Sequence, residues 1–173
     1  MGTTNLDDLN ADTISGDIQA DAGSIGTAEV ADAAITAAKV ASSDGNLVCS
    51  KVALTAGAAD AFALAWQNPE ATAILVDRVI VDITTAGGTA TAVLDVAVVA
   101  NATSTGDTIL DGVDLNATGL SDSLNGTDNG TNGGGKVVQV DEADGTNDYI
   151  TGKILVEAAS SLVGNAYIYY RTV

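Results

Sequence analysis

The chain has 173 residues, with 23 acidic and 6 basic side chains and a formal net charge of −17. This charge excludes a nucleic-acid partner and an anionic membrane surface, because binding to either needs clustered Lys and Arg. There is no His and one Cys, which excludes imidazole chemistry and an intrachain disulfide. The acidity is consistent with a saline environment or simply with a soluble acidic surface.

Residues 1–46 are predicted to form an N-terminal arm, in which larger apolar side chains are separated by small residues. From residue 25 they recur at every fifth position, a spacing that neither a helix nor a strand keeps on one face. Two interpretations are open: an Ala-rich helix, or an extended arm that wraps around identical arms of neighbouring subunits. The second predicts contacts on a shared axis at Ile14, Ile18, Ile25, Val30, Ile35 and Val40.

The arm shows no targeting segment. MGTTNLDDLN has no basic segment followed by an apolar stretch, and no run of the chain approaches the ~18 apolar residues of a membrane span. We therefore expect synthesis in a cytoplasm without a signal peptide. Just after the arm, Cys49 lies in the run NLVCSKVAL, where we expect a small buried hydrophobic residue.

Residues 47–173 are predicted to form a β-domain. β-branched runs at 72–84 and 90–100 flank the segment TAGGT, and Gly87 and Gly88 predict a tight hairpin between them. About seven strands without a convincing helix predict an all-β fold, namely an antiparallel sandwich or jelly roll preceded by the oligomerising arm. Further strands are predicted at 62–66, 136–140, 148–158 and 165–173.

The last predicted strand has a regular alternation. Every second side chain should face the same side of a sheet. One side should therefore carry Tyr167, Tyr169 and Arg171, and the other Ile168, Tyr170 and Thr172.

Residues 101–135 are rich in Asn, Asp, Gly, Ser and Thr, which predicts a long exposed loop with one short strand or turn inside it. Oxygen ligands on flexible loops suit Ca²⁺, although the spacing is not that of an EF-hand. The candidate ligands are Asp107, Asp111, Asp114 and Asn116, and a second acidic stretch lies at 141–148. Sequons in the same loop predict glycosylation at Asn101, Asn116, Asn125 and Asn129, although such a composition also produces sequons by chance.

No catalytic residue is predicted. Without His there is no Ser-His or Cys-His pair, and most Asp residues lie in turn-like or surface contexts. GTNGGGK lacks the spacing of a phosphate-binding loop. We therefore expect a protein that is not an enzyme and that needs no cofactor apart from structural Ca²⁺.

Two stretches resemble virion proteins of tailed phages and viruses. GSIGTAEVADAAITAAKVA, in the arm, resembles segments near the start of trimeric fibre and decoration proteins. WQNPEATAILVDRVIVDITTAGGTATAVLDVAVVANATSTGDTILDGVDL, with GTNGG and the closing SSLVGNAYIYY, resembles a small β-domain of head-fibre or capsid-decoration proteins. Together the two stretches cover roughly residues 14–40 and 62–170.

This resemblance implies a structural virion protein on the outer surface of the capsid. It would be a homotrimer whose arm trimerises or anchors it, whose partner is the major capsid protein, and which bridges neighbouring capsomers as a cement protein. The acid excess exceeds what the resemblance leads us to expect, which is consistent with a halophilic or marine host. Two further hypotheses stay open: a tail-fibre or receptor-binding module, and a cellular surface or adhesion domain.

Overall fold

The computed structural model describes residues 47–88, 91–130 and 137–173. These residues form strands and no helix, which confirms the predicted all-β class, and none of them belongs to a helix that could cross a bilayer. The nine strands are β1 (Val48–Ala53), β2 (Phe62–Gln67), β3 (Ile74–Thr85), β4 (Val93–Val99), β5 (Leu110–Asp114), β6 (Gly119–Asp122), β7 (Val138–Val140), β8 (Tyr149–Leu155) and β9 (Val163–Thr172).

The strands form two antiparallel sheets. Sheet I has the order β1-β9-β3-β6, and sheet II has the order β2-β8-β4-β5. β3 has 12 residues, which is long enough for two short strands to share its outer edge. β7 pairs with Ile74–Val76 of β3, and β6 pairs with Ile80–Ile83.

The hydrophobic core contains buried side chains of both sheets in one continuous cluster. Most strands contribute alternate residues, because successive side chains of a strand point to opposite faces, whereas β6 contributes none and β1 only the partly buried Val48 and Val52. Burying a Val, Leu or Ile side chain contributes about 1.5–3 kcal/mol, so this cluster is the main source of stability. Its fully buried members include Ile74, Val79, Val81 and Ile168 of sheet I, and Leu64, Leu94, Val96, Ile150 and Ile154 of sheet II.

Aromatic contacts join the β1–β9 side of sheet I to β2 of sheet II. The ring centroids of Trp66 and Tyr170 lie 5.6 Å apart. Trp66 Nε1 donates to Ser50 Oγ at 3.0 Å, and the Tyr170 hydroxyl donates to Glu70 Oε1 at 3.1 Å. Burial, together with the Glu70 carboxylate, raises the pKa of Tyr170 to about 12, so the phenol stays protonated as a donor.

The predicted hairpin at Gly87 and Gly88 is wrong, because the strands before and after it, β3 and β4, belong to different sheets. Both glycine N–H groups donate to the carbonyl oxygen of Leu115, at 3.1 and 3.0 Å. A side chain at Gly87 would collide with the backbone of Leu162. Glycine is needed here for close approach of backbones as the chain crosses between sheets, and not for a tight turn.

The segment 101–135 also differs from the single exposed loop that its composition predicts. Its described part contains both β5 and β6, so more than one short strand forms there. The apolar islands of the segment become core residues, because β5 pairs with β4 and directs them inward. The buried side chains are Ile109, Leu110, Val113 and Leu115.

Candidate functional site

The outer face of sheet I carries three of the four basic side chains among the described residues, and two of the four tyrosines. The strand pairing aligns its residues in three rows across the sheet. We call these residues, with the neighbouring Asp77 and Arg171, the open face. The rows are Cys49–Tyr169–Arg78, Lys51–Tyr167–Ile80–Asp122 and Ala53–Asn165–Asp82–Leu120.

Cys49 is exposed, so the predicted burial of this residue is wrong. β1 alternates between half-buried and exposed positions, and Cys49 occupies the exposed phase with Lys51. The surrounding run looks apolar, but the phase of the strand decides which of its side chains reach the core. The alternation predicted for β9 is confirmed at Ile168 and Tyr170, which are buried between half-buried neighbours.

A bidentate ion pair joins β3 and β6 on the open face. Arg78 Nε donates to Asp122 Oδ1 at 2.9 Å, and Arg78 Nη2 donates to Asp122 Oδ2. The hydrogen bonds from Arg78 hold the pKa of Asp122 below its usual range, and the same pairing raises the pKa of Arg78. Asp122 Oδ1 also accepts the N–H of Leu124 at 3.0 Å, so the carboxylate fixes the turn that follows β6.

The remaining charges of the open face complete an electrically balanced surface. Arg171 Nη2 donates to Oδ1 of Asp77, the extra residue of a bulge in β3, at 2.7 Å. Lys51 Nζ lies 5.6 Å from the ring centroid of Tyr167, within cation–π range. The open face carries three bases, Lys51, Arg78 and Arg171, and three acids, Asp77, Asp82 and Asp122.

The other described residues are strongly acidic. Outside the open face they carry twelve acids and one base, Lys153, which pairs with Asp60 at 2.7 Å. The negative charge of the β-domain therefore lies almost entirely away from the open face.

The outer face of sheet II differs from the open face because a loop of the same chain covers its β4–β8 part, whereas Ala65 of β2 is exposed. Thr151 Oγ1 donates to the carbonyl oxygen of Ser104 at 2.9 Å. Ala97 is 0% exposed although it lies outside the core cluster, and a side chain at Gly106 would come within 3.0 Å of its Cβ. We call residues 101–108 the covering loop.

The predicted calcium ligands are divided between two local arrangements. Asp107 and Asp111 lie close enough to Asp95 for their negative charges to raise its pKa, although burial of Asp95 is the larger cause. Asp114 Oδ1 instead accepts the N–H of Asn116 at 2.7 Å, which makes a local turn. Within the described ranges, no group of three or more His, Cys, Asp or Glu side chains is arranged to hold a metal ion. Calcium binding therefore stays a prediction.

The second acidic stretch, 141–148, borders an open polar cleft of about 420 Å³. Asp148 is 1% exposed, and its Oδ2 accepts a hydrogen bond from Gln67 Nε2 at 2.9 Å. Asn68 Nδ2, directly after β2, donates to the carbonyl oxygen of Asp141 at 2.8 Å. This hydrogen bond links the acidic stretch to the end of β2. The described residues that line the cleft are Val98, Thr108, Val138, Gln139, Asp141 and Asn147.

The four sequons differ in accessibility. Asn101, Asn116 and Asn125 are exposed. Asn129 is half-buried, and its Nδ2 donates to the carbonyl oxygen of Gly126 at 2.6 Å. The first three are therefore the accessible acceptors, and glycosylation of any of them stays a prediction.

The predicted contacts of the arm lie outside the described residues: Ile14, Ile18, Ile25, Val30, Ile35 and Val40. The open face as a whole was not predicted, because it joins residues from β1, β3, β6 and β9. One signal was present in the sequence, since the basic residues Lys51, Arg78 and Arg171 all stand in predominantly apolar runs.

Comparisons of the chain with models of protein families, with curated proteins and with solved structures found no match.

Proposed function

We propose that the β-domain is a jelly-roll sandwich. If β7 is taken as an addition beside β3, the other eight strands pair from the two ends of the domain inward. The pairs are β1 with β9, β2 with β8, β3 with β6, and β4 with β5. A long antiparallel hairpin that folds over into two sheets produces this nested pairing, which supports a jelly roll.

We propose that the protein is a structural virion protein that decorates and reinforces the outer surface of a capsid as a homotrimer. The nested strand pairing carries this proposal, because jelly rolls recur in viral capsid proteins. A fold by itself does not define a function, so the sequence resemblance of both arm and β-domain supplies the second support. The partner is the major capsid protein.

The proposed activity is mechanical and needs no chemical step. The arm supplies a shared axis at Ile25, Val30, Ile35 and Val40, where three copies bury side chains that one copy alone leaves in water. The β-domain projects from the shell, and its acidic surface keeps particles apart in solution. Contacts made to neighbouring capsomers add to the stability of the assembled shell.

A receptor-binding module of a tail fibre is the second candidate, and the polar cleft favours it. Thr108, Gln139, Asp141 and Asn147 offer hydroxyl, amide and carboxylate groups that suit hydrogen bonding to a polar ligand such as a glycan. The adhesion-domain hypothesis has no comparable observation to favour it.

Protein counting on purified particles separates these functions. Decoration predicts a copy number comparable to the number of capsomers and antibody labelling over the head. A few copies per particle with labelling on the tail would support the receptor-binding module instead. Absence from particles, with presence in uninfected cells, would contradict both.

Light scattering tests the role of the arm in the full chain. Ile25→Asp and Ile35→Asp place a charge on the proposed shared axis, so we expect both to reduce a trimer to smaller species. Ala37→Asp adds the same charge between the axis positions and is the matched control. Equal masses for all three variants and the wild type would contradict the role of the arm.

A further inference from the structure

We propose that the open face is a self-association surface, which binds the open face of a second copy of this chain about a twofold axis parallel to the strands. The inference goes beyond capsid decoration and rests on the β-domain alone, so the two proposals can fail separately. Within a decorated shell, such a contact would connect neighbouring trimers.

The position of the contact follows from the distribution of charge. Two copies that each carry −17 repel one another through most of their surfaces. The open face is the described surface where acids and bases balance, whereas the other described residues carry twelve acids and one base. Two copies therefore meet there with the least repulsion.

The composition of the open face also fits an interface. Tyr and Arg are enriched in protein interfaces, and this surface presents Tyr167, Tyr169, Arg78 and Arg171. Leu120 is 71% exposed at the β6 side of the surface. Covering its side chain with a second protein surface removes apolar area from water.

The two halves of the open face have opposite charge. The half formed by β1 and β9 carries two bases and no acid, whereas the half formed by β3 and β6 carries three acids and one base. The face is therefore +2 on one side and −2 on the other. The charged residues are Lys51 and Arg171 on the first half, and Asp77, Arg78, Asp82 and Asp122 on the second.

This polarity selects the orientation of the second copy. A twofold axis parallel to the strands, placed between β9 and β3, reverses the strand order and keeps the position along each strand. β1 of one copy then lies over β6 of the other, and the positive half covers the negative half. An axis perpendicular to the strands in the same plane would place β1 over β1, with Lys51 of one copy near Lys51 of the other.

Rotation about the axis parallel to the strands brings each row of the open face against the same row of the second copy. In the middle row, Lys51 faces Asp122 of the second copy and Tyr167 faces its Ile80. In the row that contains Cys49, Tyr169 faces Arg78 of the second copy, and the aromatic ring and the guanidinium group can stack. In the third row, Ala53 faces the exposed Leu120 of the second copy.

The size of the surface predicts a weak contact. The four strands have 6, 10, 12 and 4 residues, which at about 3.3 Å per residue and about 4.8 Å between strands offer roughly 500 Å² per copy. The total of about 1,000 Å² is in the range of weak, transient interfaces. Because the remaining surfaces repel, we expect self-association to strengthen with salt, which shortens the Debye length to about 3 Å at 1 M.

Charge-swap variants of the full chain test this proposal by sedimentation equilibrium in high salt. Lys51→Glu and Asp122→Lys each place like charges against one another in the contact, so each variant alone should self-associate about tenfold more weakly than the wild type. Mixed together, the two variants place Glu against Lys at one end of the contact and keep the natural pair of Lys51 with Asp122 at the other end, and association should recover. Lys153→Glu and Glu157→Lys, outside the open face, are the matched controls for the change in net charge.

The expected result is recovery in the mixture of face variants, with control variants that associate like the wild type both alone and mixed. Three results would overturn the proposal: a wild type that gains no mass with concentration at high salt, face variants that associate like the wild type, and a mixture no stronger than its components. Each result is a change in mass relative to the species present at low concentration. The test therefore does not depend on whether the arm forms a trimer.

Discussion

The outer faces of the two sheets are built from the same strand alternation but reach different surroundings. On sheet II the outward residues include Ala97 and Thr151, and the covering loop buries both. On sheet I the outward residues include the larger Tyr167 and Arg78, and Lys51 is exposed. Small side chains on one face admit the chain's own loop, whereas large aromatic and charged side chains on the other leave a surface for a partner.

This contrast shows that a side chain pointing outward from a sheet is not necessarily exposed to solvent. The alternation decides which residues leave the core, and the size of those residues decides what can lie against them. A β-domain can thus use one sheet face for its own stability and the other for assembly.

The largest expected effect comes from placing a charge under the covering loop. Ala97→Asp buries a carboxylate beneath the covering loop, and the neighbouring base Lys153 is already paired with Asp60, so we expect a loss of about 3 kcal/mol or more in the free energy of unfolding. Ala53→Asp makes the same change on the open face and should alter stability by no more than about 0.5 kcal/mol. Urea unfolding of both variants measures the difference, and equal losses would remove the distinction between the two faces.

A smaller effect is expected from the hydrogen bond that holds the covering loop. Thr151→Val removes the hydroxyl and leaves the Ser104 carbonyl without this donor, which should cost about 1–2 kcal/mol. Thr151→Ser keeps the hydroxyl and is the conservative control. Limited proteolysis should cleave within 101–108 faster in the Val variant than in the Ser variant, and equal rates would contradict the assigned role of this bond.

The ion pair on the open face should contribute less and should depend on pH. Its Arg78 guanidinium holds the pKa of Asp122 below the unfolded value of about 3.9. The pair therefore stabilises the fold above that pH, and the contribution is lost as pH falls through the folded pKa. Arg78→Gln should cost about 0.5–1 kcal/mol at neutral pH. Acid titration of the unfolding free energy should bring variant and wild type together, and a constant gap would contradict the pairing.

The smallest effect, and one of opposite sign, is expected beside the covering loop at Asp95. Burial is the largest cause that raises the pKa of Asp95, so ionisation of Asp95 destabilises the folded state. Asp95→Asn should add a few tenths of a kcal/mol at neutral pH, because water screens a half-exposed group. The gain should vanish once the pH falls below both the folded and the unfolded pKa. Glu142→Gln, at an exposed position, controls for the loss of one charge, and a gain at every pH would contradict the explanation.

The sequence predicts the all-β class and the alternation of β9 because both depend on local periodicity. It fails at Gly87 and Gly88, since a glycine that permits close packing and a glycine that turns a hairpin give the same local pattern. The sequence also fails to predict which side chains of β1 point outward. The apolar neighbours of Cys49 suggest burial, whereas Cys49 is exposed. The open face lies beyond local patterns altogether, because its rows join residues more than 100 positions apart, such as Lys51 and Tyr167.

Cross-linking between copies tests whether the open face binds the open face of a second copy. In a Cys49→Ser background, Ala53→Cys and Leu120→Cys are prepared as separate full-length variants. In the proposed contact Ala53 of one copy faces Leu120 of the other, whereas the two Ala53 positions, or the two Leu120 positions, lie three strands apart, about 14 Å, which is beyond the reach of a shorter bismaleimide. We predict that a mixture of the two variants forms covalent dimers at high salt, while each variant alone forms few. No dimer in the mixture, or equal yields in all three samples, would contradict it.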